Sequence, residues 1–218
     1  MFPFLNIHTH HPQLLPEVES ILSLSVGHDD LNLIQGHQVA LGIHPWFIDE
    51  PQLAQHMLTL TEKARLPQVK MIGECGLDHV KGAEMEVQLR VFERQLELAK
   101  ALQKPVILHV VKAYDELIAL RKKIEPNVPM VIHGYNKSEQ LGHQLMAQGF
   151  SLSFGKAILN GNSGAAAILR ASDQFFLETD DSDLHIEDIY RAAANLKNTT
   201  VDELKALIFG NWKSANLI

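Results

Sequence analysis

The feature that most constrains the fold is a unit that recurs along the chain. A short β-forming run ends in a polar residue and is followed by a stretch with helical periodicity. Eight such runs are read: Phe4–His8, Leu22–Val26, Gln38–Ile43, Val69–Gly73, Pro105–His109, Pro129–His133, Phe150–Phe154 and Gln174–Glu178. Several are apolar without a break, as in Val106-Ile107-Leu108 and Met130-Val131-Ile132. Strands covered on both faces of a parallel sheet read this way, whereas half-exposed strands alternate.

The stretches between them carry helical stripes. Met85, Leu89, Phe92, Leu96 and Ala99 fall on one helix face. Tyr114, Leu117, Ile118 and Ile124 form a shorter stripe, and Leu141, Leu145 and Met146 another, with Gly149 where a helix would stop. Thr200 and Glu203 have capping-box spacing. Strands alternating with helices predict an α/β fold, a small TIM-type (β/α) barrel, with a doubly wound open sheet as the competitor. Asp30–His37 is too short for a crossover helix, so the second βα unit is expected to be trimmed. No repeat, low-complexity tract or linker interrupts the 218 residues, and a single domain over 1–218 is expected.

Composition narrows the function classes. The net charge is −7 and the densest basic run is Arg121-Lys122-Lys123, so an extended nucleic-acid surface is not expected. No apolar run reaches the roughly 18 residues that span a membrane, and the segment Met1 to His10 lacks the form of a secretory signal. With one cysteine, Cys75, no internal disulfide forms. A cytoplasmic protein without membrane partners is the expectation. Cys75 itself reads as a buried, inert thiol.

The 12 histidines acquire meaning by position. In a parallel barrel, the C-terminal ends of the strands converge on one mouth. Those ends carry His8 and His10, then His44, Glu74, His109, His133 and Asp180. Residues i and i+2 on a strand share a face, so His8 and His10 can grip one cation. Taken singly, each has a plainer reading: Glu74 as a strand-end ion pair, His109 and His133 as hydrogen-bonded core residues, Asp180 as a helix cap. Together they predict a metal site. Trp46 is placed either to stack on a base or to cap the mouth.

The segments Asn6-Ile7-His8-Thr9-His10, Gly42-Ile43-His44-Pro45, Ile72-Gly73-Glu74-Cys75-Gly76-Leu77-Asp78, Pro105-Val106-Ile107-Leu108-His109, Val131-Ile132-His133 and Leu177-Glu178-Thr179-Asp180 occur in this order. The set resembles the TatD family of metal-dependent deoxyribonucleases, in the amidohydrolase superfamily. The resemblance implies two divalent ions (zinc, manganese, magnesium or nickel). It implies His8, His10 and Asp180 on one, His109 and His133 on the other, and Glu74 bridging. It implies His44 and Asp78 at a phosphodiester substrate such as a DNA end. Two such ions can generate hydroxide near neutral pH, and Asp180, touching metal and nucleophile, is the candidate for moving the proton. Three departures stand out. Asn6 occupies a position where the family usually has Asp. His109-Val110-Val111 replaces His-Ser-Arg, leaving Lys112 as the neighbouring cation. Asp181-Ser182 follows Asp180 where the family has a small residue and Pro. The alternatives are a hydrolase of another ester or amide on the same scaffold, a phosphoesterase of the polymerase and histidinol phosphatase type, and a metal-binding relative without turnover.

Overall fold

The computed structural model describes residues 2–218. The chain divides into two compact units, Met1–Ile21 with Val131–Ile218, and Leu22–Met130.

The Leu22–Met130 unit holds the end of β2 (Val18–Ser25), then β3 (Gln38–Gly42), α1 (Leu53–Lys63), β4 (Val69–Asp78), α2 (Met85–Leu102), β5 (Val106–Val111) and α3 (Tyr114–Ile124). The pairs β3–β4 and β4–β5 are parallel. Val39, Leu41, Met71, Ile72, Val106, Ile107 and Leu108 are all fully buried, as continuous apolar runs require. A single 3-10 turn, Leu31–Gln35, stands where a crossover helix would be, which is the expected trimming.

Two strands depart from their expected limits. β2 starts at Val18 rather than Leu22. β4 runs on past Gly73 to Asp78; its register with β5 shifts between Ile72 and Cys75, after which Gly76 pairs with His109 and Asp78 with Val111. Glu74 therefore lies inside a strand, not after one. Along this extension Glu74, Gly76 and Asp78 alternate with buried Cys75 and Leu77, so both carboxylates point to one face.

Glycine is required in two places here. A Cβ on Gly76 would sit 2.0 Å from the His109 carbonyl oxygen, and one on Gly42 would sit 2.7 Å from the Gly73 Cα. These close approaches bring the ends of β3, β4 and β5 together.

The other unit holds β1 (Phe4–Thr9), most of β6 (Met130–Ile132), α4 (Glu139–Ala147), β7 (Ser151–Phe154), α5 (Gly164–Ala171), β8 (Phe175–Leu177), α6 (Ile186–Lys197) and α7 (Val201–Ser214). β6–β7 and β7–β8 are parallel, and Thr9 bridges to Asp180 in the same sense. Buried Tyr190 of α6 meets β1, its hydroxyl accepting from Leu5 N–H (3.1 Å) and donating to Leu5 O (3.2 Å). The capping box of α7 forms as its spacing predicts, with Glu203 N–H donating to Thr200 Oγ1 and Thr200 N–H to the Glu203 carboxylate. No described helix is long and apolar enough to cross a membrane.

Candidate metal centre

In the Met1–Ile21 and Val131–Ile218 unit, backbone hydrogen bonds lock Asp180 to the end of β1. Asp180 N–H donates to His8 O (3.0 Å) and His10 N–H donates to Asp180 O (3.1 Å). The turn needs φ +55° at Asp180, a left-handed conformation that Asp tolerates better than most residues. One carboxylate oxygen, Asp180 Oδ1, then stands 3.4 Å from His8 Nε2 and 3.6 Å from His10 Nε2.

Those distances are long for hydrogen bonds. They match the edge of a tetrahedral site, since donors bonded to zinc at about 2.1 Å stand about 3.4 Å apart. His8 is fully buried. Buried imidazole, a partly exposed imidazole and a carboxylate make a donor set that borderline divalent cations favour. His133 joins this neighbourhood, its ring centroid 4.4 Å from that of His8.

Behind His133 lies Glu178, a carboxylate with no solvent exposure. Its Oε1 accepts from Gly134 N–H (2.6 Å) and stands 3.7 Å from His133 Nδ1. Sequence reasoning misses Glu178. Its signal is the i, i+2 spacing to Asp180 directly after the apolar Phe176-Leu177. Asn6, where the family has Asp, is occupied elsewhere. It accepts from Thr179 N–H (3.1 Å) and donates to Thr179 Oγ1 (2.8 Å), tying β1 to the residue before Asp180.

The Leu22–Met130 unit brings His44, Glu74, His109 and Asp78 together. His44 caps the 3-10 turn Pro45–Phe47, and its Nδ1 accepts from Trp46 N–H (3.1 Å). A neutral His44 therefore carries its proton on Nε2 and donates it to Glu74 Oε1 (3.1 Å). This makes His44 a hydrogen-bond donor rather than a ligand.

His109 is held the opposite way. Its Nε2 faces Asp78 Oδ2 at 3.0 Å and its Nδ1 faces Glu74 Oε1 at 3.0 Å. With Asp78 accepting from Nε2–H, a neutral ring turns the Nδ1 lone pair toward a carboxylate. Two acceptors this close need a proton or a cation between them. The 3.0 Å spacing equals the edge of an octahedral site bonded at about 2.1 Å. The residues fit a divalent ion, with Glu74 and His109 as its ligands and Asp78 fixing the ring from outside.

Asp78 is buried and fully engaged. Oδ2 also accepts from Trp46 Nε1–H (2.7 Å), and Oδ1 accepts from Val80 N–H (2.7 Å) and Lys81 N–H (3.1 Å). Burial pushes its carboxyl up, but the hydrogen bonds from His109, Trp46 and the two backbone groups together outweigh it. They hold Asp78 below the usual aspartate range. Lys112, past the end of β5, is exposed and joins neither donor set. Cys75 is fully buried, and burial, then the Glu74 charge, push its thiol far up, so it is inert.

Two glutamines that sequence reasoning misses hold this site in place. Gln88 accepts from Asp78 N–H (2.8 Å) and donates to Asp78 O (2.9 Å). Gln95 accepts from Ile43 N–H (2.8 Å) and donates to Ile43 O (3.0 Å), fixing the residue before His44. Their signal is a pair of amides, seven residues apart, on the buried face of α2.

The chain is thus a parallel α/β protein of the (β/α) class whose strand ends carry histidine and carboxylate groups that could hold a metal ion. Two solved structures bear out that fold. The TatD homologue YjjV of Escherichia coli superposes with a TM-score of 0.82, at 21% identity, over 97% of both chains. A TatD-family hydrolase of Entamoeba histolytica gives 0.80 at 16% identity, over 98% of this chain and 97% of that one. The fold is thus the TIM-type (β/α) barrel.

The chain belongs to the family described as TatD related DNase, which matches residues 28–215. Among its relatives is a 3′-5′ ssDNA/RNA exonuclease TatD of Erwinia billingiae, 32% identical over 145 residues. That match takes in 64% of this chain and 55% of the exonuclease, so the chain spans about half the length of that relative. A metal-dependent hydrolase of Haemophilus influenzae is 28% identical over 93% of this chain and 83% of its own.

Proposed function

We propose that this protein is a metal-dependent phosphodiesterase that trims single-stranded nucleic acid from an end, in one barrel domain. By the family resemblance, His8, His10 and Asp180 would bind one divalent ion and His109 and His133 another, with Glu74 as a ligand to both. The observation that carries it is the single oxygen Asp180 Oδ1 facing His8 Nε2 and His10 Nε2 at 3.4 and 3.6 Å, the spacing of a coordination edge rather than of hydrogen bonds. The nuclease names of relatives such as the Erwinia exonuclease support the substrate class.

Divalent ions bound there supply hydroxide near neutral pH and offset charge on the phosphoryl oxygens. The residues do the rest. Asp180 is only partly exposed and rigidly tied to β1, so it can take the proton of the attacking water and pass it on. His44, its tautomer fixed by Trp46 N–H, holds its Nε2–H on Glu74 Oε1 and would pass that hydrogen bond to a phosphoryl oxygen once Glu74 engages an ion. Asp78 keeps the ring of His109 from turning, and the Glu178 carboxylate stands beside His133.

The test is metal analysis of the purified protein, then assays with manganese or magnesium on single-stranded DNA, RNA, bis-p-nitrophenyl phosphate and a lactone. Two ions per chain and release of nucleotides from DNA or RNA are expected. Turnover of the lactone alone would replace the nuclease with another hydrolase, and stoichiometric metal with no turnover on any substrate would replace it with a binding protein.

A further inference from the structure

We propose that Trp46 is the platform on which a nucleobase of the substrate stacks, with Lys81 as the cation for the adjoining phosphate. The proposal rests on the phosphodiesterase reading and names the part of the substrate that this side of the site recognises.

Trp46 is a large aromatic left 37% exposed. Its ring centroid lies 4.9 Å from that of His44 and 5.2 Å from that of His109, so it borders the donors. Nor is it free to turn. Its indole N–H is held by buried Asp78 at 2.7 Å, on the oxygen that also faces His109. The segment carrying Lys81 is anchored by the same carboxylate through Val80 N–H and Lys81 N–H, and Ala83 N–H donates to Pro45 O (3.4 Å). An aromatic fixed in place at the edge of a site yet open to solvent presents contact area at little entropic cost.

The partner chemistry follows from what now covers the ring. Lys81 Nζ lies 3.6 Å from the centroid, and Lys81 is an exposed side chain. A base stacked on an aromatic ring is held more tightly than an ammonium resting on the ring at an exposed site. A base therefore displaces the ammonium. Lys81 is then released beside the base, where the phosphate of the same nucleotide lies. The cation that Val111 does not supply, and for which Lys112 is the sequence-based candidate, is in this view Lys81.

Trp212 is fully buried, so Trp46 is the only solvent-accessible reporter of the two tryptophans. The metal-loaded protein is titrated with a short phosphorothioate oligodeoxynucleotide and with an abasic strand of equal length, following tryptophan emission and the anisotropy of labelled strands. The base-bearing strand quenches emission and binds about tenfold tighter than the abasic one, the scale of one stacked base. Trp46→Leu removes that preference. Trp46→Phe, which keeps a ring but loses the N–H held by Asp78, keeps most of it. Lys81→Met weakens both strands equally. Unchanged emission on binding, or a preference that survives Trp46→Leu, overturns the platform. A protein that hydrolyses bis-p-nitrophenyl phosphate but binds the two strands alike loses the platform and keeps the phosphodiesterase. One that binds neither strand and does not hydrolyse bis-p-nitrophenyl phosphate loses both.

Discussion

Asp78 Oδ2 stands 3.0 Å from His109 Nε2, and the other nitrogen of the same ring stands 3.0 Å from Glu74 Oε1. The pairing sets which nitrogen of His109 carries the proton and leaves Nδ1 for a cation. Losing an outer partner of this kind costs about 10–100-fold in metal affinity. Asp78→Asn keeps the shape and removes the charge, so it is expected to weaken ion binding by about that factor, measured by chelator competition. Affinity equal to that of the parent would reduce Asp78 to an anchor for the backbone at Val80 and Lys81.

Most of the strands are legible in the sequence because parallel strands buried on both faces leave unbroken apolar runs, as Val106-Ile107-Leu108 does. The same criterion ends β4 too early, at Gly73, because the second half of that strand faces the site on one side. There Glu74, Gly76 and Asp78 alternate with Cys75 and Leu77, a strand pattern that looks like the end of a strand when only apolar runs are sought. The donors His8, His10, Glu74, His109, His133 and Asp180 stand out because each ends or interrupts such a run. Gln88 and Gln95 do not, because they act on neighbours brought close only by tertiary folding; Glu178 ends a run but is overshadowed by Asp180 two residues on. Asp78 reads from sequence as a substrate contact, and the four hydrogen-bond partners of its carboxylate come from two separate loops and β5. Spacing along the chain does not encode such convergence.

Asn6 is buried and serves Thr179 with both ends of its amide. Asn6→Ala leaves the Thr179 N–H without its acceptor inside the protein, a cost of about 1–3 kcal/mol. Asn6→Asp keeps that acceptor, and the Thr179 hydroxyl can turn to donate to the new carboxylate. Urea midpoints should fall clearly for the alanine variant and little for the aspartate one. Equal losses would mean that the charge, not the missing acceptor, decides stability at this position.

The capping box of α7 gives a pH signature that involves none of the candidate metal ligands. Hydrogen bonds from Thr200 N–H, and then from the Thr199 and Thr200 hydroxyls, hold the Glu203 carboxyl at about 2, below its ordinary 4.5. A carboxylate depressed in the folded state stabilises it fully above the unfolded value and loses that contribution as pH falls through the folded one. The melting-temperature gap between the parent and Glu203→Gln should therefore be constant above about pH 5 and close between pH 4.5 and about 2. A gap that persists at pH 2 would assign it to the shape of the cap instead of its charge.

Asp180 must satisfy the backbone and the chemistry at once. Its φ of +55° suits Asn as well as Asp, and its backbone hydrogen bonds to His8 and His10 do not involve the side chain. Asp180→Asn should therefore fold like the parent, with an unchanged unfolding midpoint. The amide retains an oxygen that can face His8 and His10, so much of the bound metal should remain, read by elemental analysis. It cannot accept the proton of the attacking water, and removing a positioned base costs about 10²–10⁴ in rate. Hydrolysis of bis-p-nitrophenyl phosphate at saturating manganese should fall by at least about 100-fold. Full turnover with full metal would take Asp180 out of the proton transfer and leave it a ligand alone. Loss of metal in parallel with activity would show that its charge is needed to hold the ion, so that the drop in rate reports occupancy and not base catalysis.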